Sequence, residues 1–152
     1  MSTDIVWRWY AWRDLDVDTL HAIFKLRSDV FVVEQNCVYT DVDGFDPRCD
    51  HFCGTTKQGE LVAYLRLLPP GVKYPQPSIG RVVVAPNARK LGLARRAMLE
   101  AISRCNARFP SEPILVQAQQ YLQRFYASLG FAPIGAPYVE DGIPHVDMTR
   151  MS

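Results

Sequence analysis

At 152 residues, with 48% hydrophobic and 11% aromatic content, the chain is long enough to bury one real core and too short for two comfortable ones. Seventeen basic residues oppose sixteen acidic ones, so the charge balance calls for neither nucleic acid nor an anionic membrane, and any basic site has to be local. The longest apolar runs fall short of the roughly 18 residues that suggest a membrane span, and the N-terminal MSTDIVWRWYAWRDLD is charged where an export signal is apolar. The expectation is a single cytoplasmic domain over residues 1–152, with Cys37, Cys49, Cys53 and Cys105 as reduced thiols.

In chain order, IVWRWYAW reads as a first strand rich in aromatic and branched residues. DVDTLHAIFKLRSDVFVVEQN follows as a helix whose inner face is tracked by Leu20, Phe24, Arg27 or Ser28, and Phe31. Residues 37–50 form a polar, cysteine-bearing loop. HFCGTTKQGELVAYLRLLPP is a hairpin turning at residues 57–59, its second arm alternating Leu61, Ala63, Leu65 and Leu67. PGVKYPQPS is too rich in proline for a central strand. IGRVVVA is then a short, nearly continuous apolar strand of the kind buried on both faces.

The next helix carries Ala94, Ala97, Met98, Ala101, Ile102 and Cys105 at helical spacing, with Glu100 four residues ahead of Arg104 as a favourable pair. PILVQAQ is another buried strand, and YLQRFYASLGF a short helix with Leu122, Phe125, Tyr126 and Leu129 inside and Gly130 as its stop. Two closing strands are expected near residues 131–138 and 145–148. The class is α/β, a mixed sheet with helices packed on it.

The junction between IGRVVVA and the helix after it, NARKLGLARRAM, carries the first chemical signal. A helix N-terminus offers about four backbone N–H groups without intrahelical partners and roughly half a positive charge, so it binds anions. Gly92 leaves out the Cβ that would hold a phosphate off the backbone, Ala94 keeps the turn narrow, and Arg89 with Lys90 or Arg95 adds charge-assisted contacts to a diphosphate. Neither the P-loop nor the dinucleotide fingerprint fits, because both need glycines that this stretch lacks.

The spacing Arg89-x-x-Gly92-x-Ala94 after RVVVAP resembles the pyrophosphate motif of the GNAT N-acetyltransferases. RFYASLGF is similar to that family's closing motif, and LRSDVFVVEQNCVYTDVDGFD, GRVVV, FYASLGF and EDGIPH together resemble its ElaA-like branch, over most of residues 26–148. The resemblance implies the GNAT acyl-CoA N-acyltransferase fold, a central mixed sheet whose two middle parallel strands splay apart to admit the donor. The cosubstrate it implies is acetyl-CoA. On this view GRVVVA and PILVQAQ are the splayed strands, and the backbone of Val82, Val83 and Val84 holds the pantetheine arm and the thioester carbonyl. N–H groups of Arg89, Lys90, Leu91, Gly92, Leu93 and Ala94 take the diphosphate, with Arg95 beside them.

The expected reaction is attack of an amine, from a small molecule or a peptide, on the thioester. Tyr126 occupies the position of the family's general acid for the leaving thiolate. Many members place a glutamate on the strand before the cradle, where this chain has only valines, so the base is open. Glu34 and His145 are the candidates, with Asp43 and Glu140 behind them.

The acidic cluster Glu34, Asp41, Asp43, Asp46 and Asp50 reads either as a solvated loop or as an attractor for a cationic amine. Cys49, His51 and Cys53 alternate as a strand does and lack a paired C-x-x-C spacing, so no metal is expected. Two alternatives stand beside the acetyltransferase: an acyltransferase using another donor, like the acyl-homoserine lactone synthases that share a similar LR-x-x-V-F helix, and an acyl-CoA-binding protein without turnover. Members of the family often dimerise, so a homodimer is allowed.

Overall fold

The computed structural model describes residues 4–151, and the first three residues of the N-terminal stretch read above lie outside them. Eight strands form one sheet in the order β1-β2-β3-β4-β5-β8-β6, with β7 pairing β8. They are β1 Ile5–Ala11, β2 Asp50–Thr56, β3 Leu61–Leu68, β4 Ser78–Val84, β5 Ile114–Gln119, β6 Ala132–Pro133, β7 Tyr138–Glu140 and β8 Ile143–Arg150. Every neighbouring pair is antiparallel except β4 and β5. The end of the chain therefore holds three strands, two short and one of eight residues, where the sequence suggests two. Residues 134–137, Ile-Gly-Ala-Pro, break what reads as one run.

Helix α1, Val17–Arg27, begins at Asp16, whose carboxylate accepts from the Thr19 N–H at 2.7 Å; such a cap contributes about 1 kcal/mol. It runs on without a break into a π-helical segment, Ser28–Glu34, a wider turn common at functional sites. Ile23, Leu26, Arg27 and Val30 are buried; of the expected series Leu20, Phe24, Arg27 or Ser28, and Phe31, Arg27 is fully inside, Ser28 is exposed, and Phe24 and Phe31 are partly buried against the same core.

Helix α2, Leu93–Arg108, buries Leu93, Ala97, Met98, Ala101, Ile102 and Cys105. Its expected Glu100–Arg104 pair gives way to a tertiary one: Arg104 reaches Asp50 at 3.3 Å and lies 4.4 Å over the Trp9 ring. Helix α3, Gln123–Ala127, is short.

The sheet has a core on each face. Leu65, Leu67 and Ile79 pack with α2 and with Tyr126, Leu129 and Phe131, while Tyr64, Val62 and Val83 pack with Ile23, Leu26 and Val30 of the first helical region. Strand β3 is consequently buried from Val62 through Leu68, so the half-exposed alternation expected for it is wrong. Both of its faces are covered. All four cysteines are buried and free, and burial pushes the Cys49, Cys53 and Cys105 thiols up to about 12.

Candidate active site

Strands β4 and β5 pair only at Ser78 with Leu115 and at Ile79 with Val116. Beyond that point they part, and the cause lies on the other edge of β4. Opposite β3 the register passes from Arg66 with Gly80 to Tyr64 with Val83, so Arg81 and Val82 face the single residue Leu65. This is a β-bulge, which bends a strand and increases its twist. Arg81 takes the left-handed φ of 51° that the extra residue demands, an uncommon conformation for a side chain of this size. The bend carries Val82, Val83 and Val84 away from β5 and leaves their β5-facing edge without a strand partner.

A cleft of about 910 Å³ fills the gap, lined on one side by Val82, Val83, Val84, Arg89, Lys90, Gly92, Leu93, Ala94 and Arg95 and on the other by Gln117, Gln119, Tyr126, Glu140 and His145, with Glu34 also on its wall. The structure thus gathers Tyr126, Glu34, His145 and all of the predicted cradle except Leu91 around one space.

The cradle follows from local backbone geometry. Lys90 and Gly92 have φ values of 68° and 73°, turning the chain sharply into α2. The first N–H to enter the helical ladder is that of Arg96, which donates to the Gly92 carbonyl at 3.1 Å, so those of Leu93, Ala94 and Arg95 are left at the open helix end. A Cβ added at Gly92 would meet nothing within 4 Å. Glycine is required there by its left-handed conformation and leaves open space, not close packing. These features fit a diphosphate, and the open β4 edge beside them fits an extended amide-bearing arm.

On the opposite wall Tyr126 is buried between the rings of Phe125 and Phe131, at 5.2 and 6.0 Å between centroids. Among the described residues its hydroxyl has no hydrogen-bond partner. Burial, with a smaller contribution from Tyr121, pushes the phenol above its ordinary value, so it holds its proton at neutral pH.

His145 stacks on Tyr138 with centroids 6.0 Å apart, and its Nδ1 lies 2.7 Å from the Ile143 carbonyl. A carbonyl only accepts, so in the neutral ring Nδ1 carries the proton and Nε2 the lone pair. Glu140 accepts from Gln117 at 2.8 Å.

Asp43, held as a reserve base, is unsuited to that role. Burial alone would raise its carboxyl, but hydrogen bonds from Arg66 and the Phe45 N–H, with the charges of Arg66 and Arg81, outweigh it and hold the group well below the ordinary carboxylate range. Asp41, Asp43 and Asp46 are in fact the anionic half of a buried lattice. Arg27 bonds Asp41 at 2.9 Å and Asp46 at 2.7 Å, Arg66 bonds Asp43 at 2.6 Å and Asp46 at 2.9 Å, and Arg81 lies 2.9 Å from Asp41 and 3.2 Å from Asp43.

Three arginines answer three aspartates, so neither sequence reading of the cluster holds. Asp41 and Asp46 are buried and Asp43 is half-buried, and their charge is already matched. Asp50 is likewise taken by Arg104 and Arg108.

Glu34 is engaged by Arg89, whose Nη1 and Nη2 each donate to it at 2.6 Å. Those hydrogen bonds, and the charge behind them, lower its carboxyl below the ordinary range.

The residues weighed for a metal face separate partners. The His51 nitrogens contact the Tyr64 hydroxyl at 2.6 Å and the Asp46 carbonyl at 2.9 Å, and the Cys49 Sγ donates to the Phe45 carbonyl. Among the described residues no group of three or more His, Cys, Asp or Glu is placed to hold a metal ion. No helix among them is long and apolar enough to cross a membrane.

Sequence reasoning missed the bulge at Arg81, because a bulge depends on register with a partner strand. It also missed the lattice, whose only trace is Arg27 and Arg66 at otherwise apolar positions.

Known proteins carry the same frame. Residues 42–151 match the family model described as an acetyltransferase (GNAT) domain. A crystal structure of an acyl-CoA N-acyltransferase from Pseudomonas aeruginosa superposes with a TM-score of 0.91 at 38% identity, covering 97% of this chain and 99% of that one. The crystal structure of Escherichia coli ElaA gives a TM-score of 0.90 at 39% identity over 97% of this chain and 99% of that one. A CoA-dependent acyl-homoserine lactone synthase, at a TM-score of 0.78 and 17% identity over 97% of this chain and 83% of that one, shares the fold alone. With protein ElaA of Escherichia coli 41% identical over 148 residues, 96% of each chain, the chain belongs to the GNAT acetyltransferase family, in its ElaA-like branch, and is an acyltransferase.

Proposed function

We propose that the protein is an acetyl-CoA-dependent N-acetyltransferase that passes the acetyl group directly to a primary amine of a small molecule or peptide. The observation that carries this reading is the meeting, in one cleft, of an open strand edge, a helix N-terminus and a buried protonated tyrosine. Acetyl-CoA supplies an acyl group activated as a thioester. The N–H groups of Leu93, Ala94 and Arg95, with Lys90 and Arg95 side chains, bind its diphosphate. The backbone of Val82, Val83 and Val84 aligns its pantetheine arm and donates to the carbonyl oxygen, where negative charge develops.

Proton traffic falls to the opposite wall. An alkylamine with a pKa of about 10.4 arrives mostly charged, and His145 Nε2 is the open lone pair that takes its proton. Tyr126 Oη donates toward the departing sulfur. A free thiol has a pKa of about 8.5 and a phenol about 10, so full transfer is uphill in water; within the cleft the hydrogen bond itself stabilises the leaving charge.

The test is thiol release from acetyl-CoA across a panel of primary amines, with donor binding measured in parallel. Tyr126→Phe should keep donor binding and lose on the order of a hundredfold in turnover. Unchanged turnover removes Tyr126 from the reaction. Donor binding without thiol release for any amine leaves a binding protein, and preference for a longer acyl chain replaces acetyl-CoA as the donor.

A further inference from the structure

Consecutive residues at the end of the π-helical segment grip both walls of the cleft. Glu34 takes Arg89 on the β4 side through two hydrogen bonds of 2.6 Å. Gln35 exchanges amide hydrogen bonds with Gln119 of β5 at 3.3 and 3.1 Å. Cys37 Sγ donates to the Asp141 carbonyl at 3.2 Å, in the turn between β7 and β8.

The Arg89–Glu34 pair differs from the lattice beneath it. Its side chains are 40% and 43% exposed, whereas those of Arg27 and Asp46 are 0% and 1% exposed. A carboxylate and a phosphate offer an arginine fork the same pair of acceptor oxygens. An exposed bidentate pair beside an open helix N-terminus is therefore one that a phosphate can take over.

We propose that Glu34 is a positioning residue for the donor, acting through Arg89: in the free protein its carboxylate occupies the guanidinium that a diphosphate at the start of α2 would use, and donor binding exchanges one partner for the other. This rests on the acyl-CoA reading above. The exchange needs only the Glu34 side chain to turn, because the Gln35–Gln119 pair and the Cys37–Asp141 contact keep the segment in place. Glu34 thus stays beside Arg89 as a standing competitor, and the acyl-CoA site is weaker than its donors alone would make it.

The prediction has a sign that a merely structural salt bridge does not share. Removing the Glu34 charge should tighten binding of a diphosphate ligand and leave a ligand without phosphates unaffected. The experiment is calorimetric titration of CoA and of pantetheine into the wild type, Glu34→Gln, Arg89→Gln and the double variant, each checked for an unchanged far-ultraviolet spectrum.

Glu34→Gln should bind CoA on the order of threefold to fivefold more tightly, the scale of one exposed ion pair, with pantetheine unchanged. Arg89→Gln should weaken CoA about tenfold, and in its background Glu34→Gln should change nothing. CoA affinity unchanged or weakened in folded Glu34→Gln overturns the proposal and makes Glu34 a support for Arg89. A tightening that survives in the Arg89→Gln background also overturns it, since the competitor would then not act through Arg89. Absence of CoA binding to the wild type overturns the donor reading itself, a result distinct from these two.

Discussion

The wall of the cleft built by β3 and β4 and the wall built by β5 and β8 meet at Ser78 and Leu115 and diverge from there, but different forces hold them. Behind the first stands the buried lattice of Arg27, Arg66 and Arg81 with Asp41, Asp43 and Asp46. The second packs Val116, Ala118, Tyr126, Val146 and Met148 into an apolar core and presents Gln117, Gln119 and the Tyr126 hydroxyl to the cleft beside Glu140 and His145. One wall spends its charges on shape. The other keeps a phenol that has no hydrogen-bond partner among the described residues, free to meet a reacting atom. A bulge that forces a residue of Arg81's size into a left-handed conformation needs strong surroundings to hold it, and the lattice supplies them.

That division predicts separable failures, the largest on the charged wall. Arg27→Met should cost about 3–5 kcal/mol in urea unfolding, because it strands buried carboxylates without their partner. In acid the same wall weakens first. The Asp43 carboxyl titrates lower in the folded protein than in the unfolded chain, so its contribution is complete above the unfolded value of about 3.9 and is lost as pH falls below it. A plot of unfolding free energy against pH should decline from about pH 4 downward, and Arg66→Met should flatten that decline.

On the β5–β8 wall, Tyr126→Phe should separate activity from stability. The expected loss is about a hundredfold in turnover, with unfolding free energy within about 1 kcal/mol of wild type, since the hydroxyl leaves no protein partner behind. Equal damage to both quantities would erase the distinction between the walls.

Smaller still, Gly92→Ala should destabilise by roughly 1 kcal/mol through its left-handed backbone alone, because the added methyl meets nothing. Lys25→Ala, which removes the exposed pair with Asp29, should move stability by no more than about 0.5 kcal/mol in thermal or urea unfolding.

Local signals in the sequence account for much of this frame. The apolar runs of β4 and β5, the spacing of Ala97, Met98, Ala101 and Ile102 in α2, and the Arg89, Gly92 and Ala94 turn are each set by residues close in the chain, and each stands where the sequence suggests. What escaped depends on partners far apart. The bulge at Arg81 is defined by its register against Leu65, the covered outer face of β3 by the packing of α1, and the lattice by aspartates that lie 14 to 40 residues from their arginines. The π turn that continues α1 is likewise something that hydrophobic spacing does not announce. The residues read as an acidic cluster were visible as charges, but their neutralisation was not. Likewise Glu34 was identifiable as a carboxylate near the site, while its capture by Arg89 follows only from folding the two segments together.

The most direct test of the central claim, that acyl-CoA lies between β4 and β5 with its diphosphate on the start of α2, is an amide NMR titration of the intact protein with CoA. The largest shifts are expected at Leu93, Ala94 and Arg95, with a second group at Val82, Val83 and Val84, and little change at Ile5 through Ala11 of the distant β1 edge. Shifts centred away from the β4 edge and the α2 N-terminus, or none at saturating CoA, would contradict it.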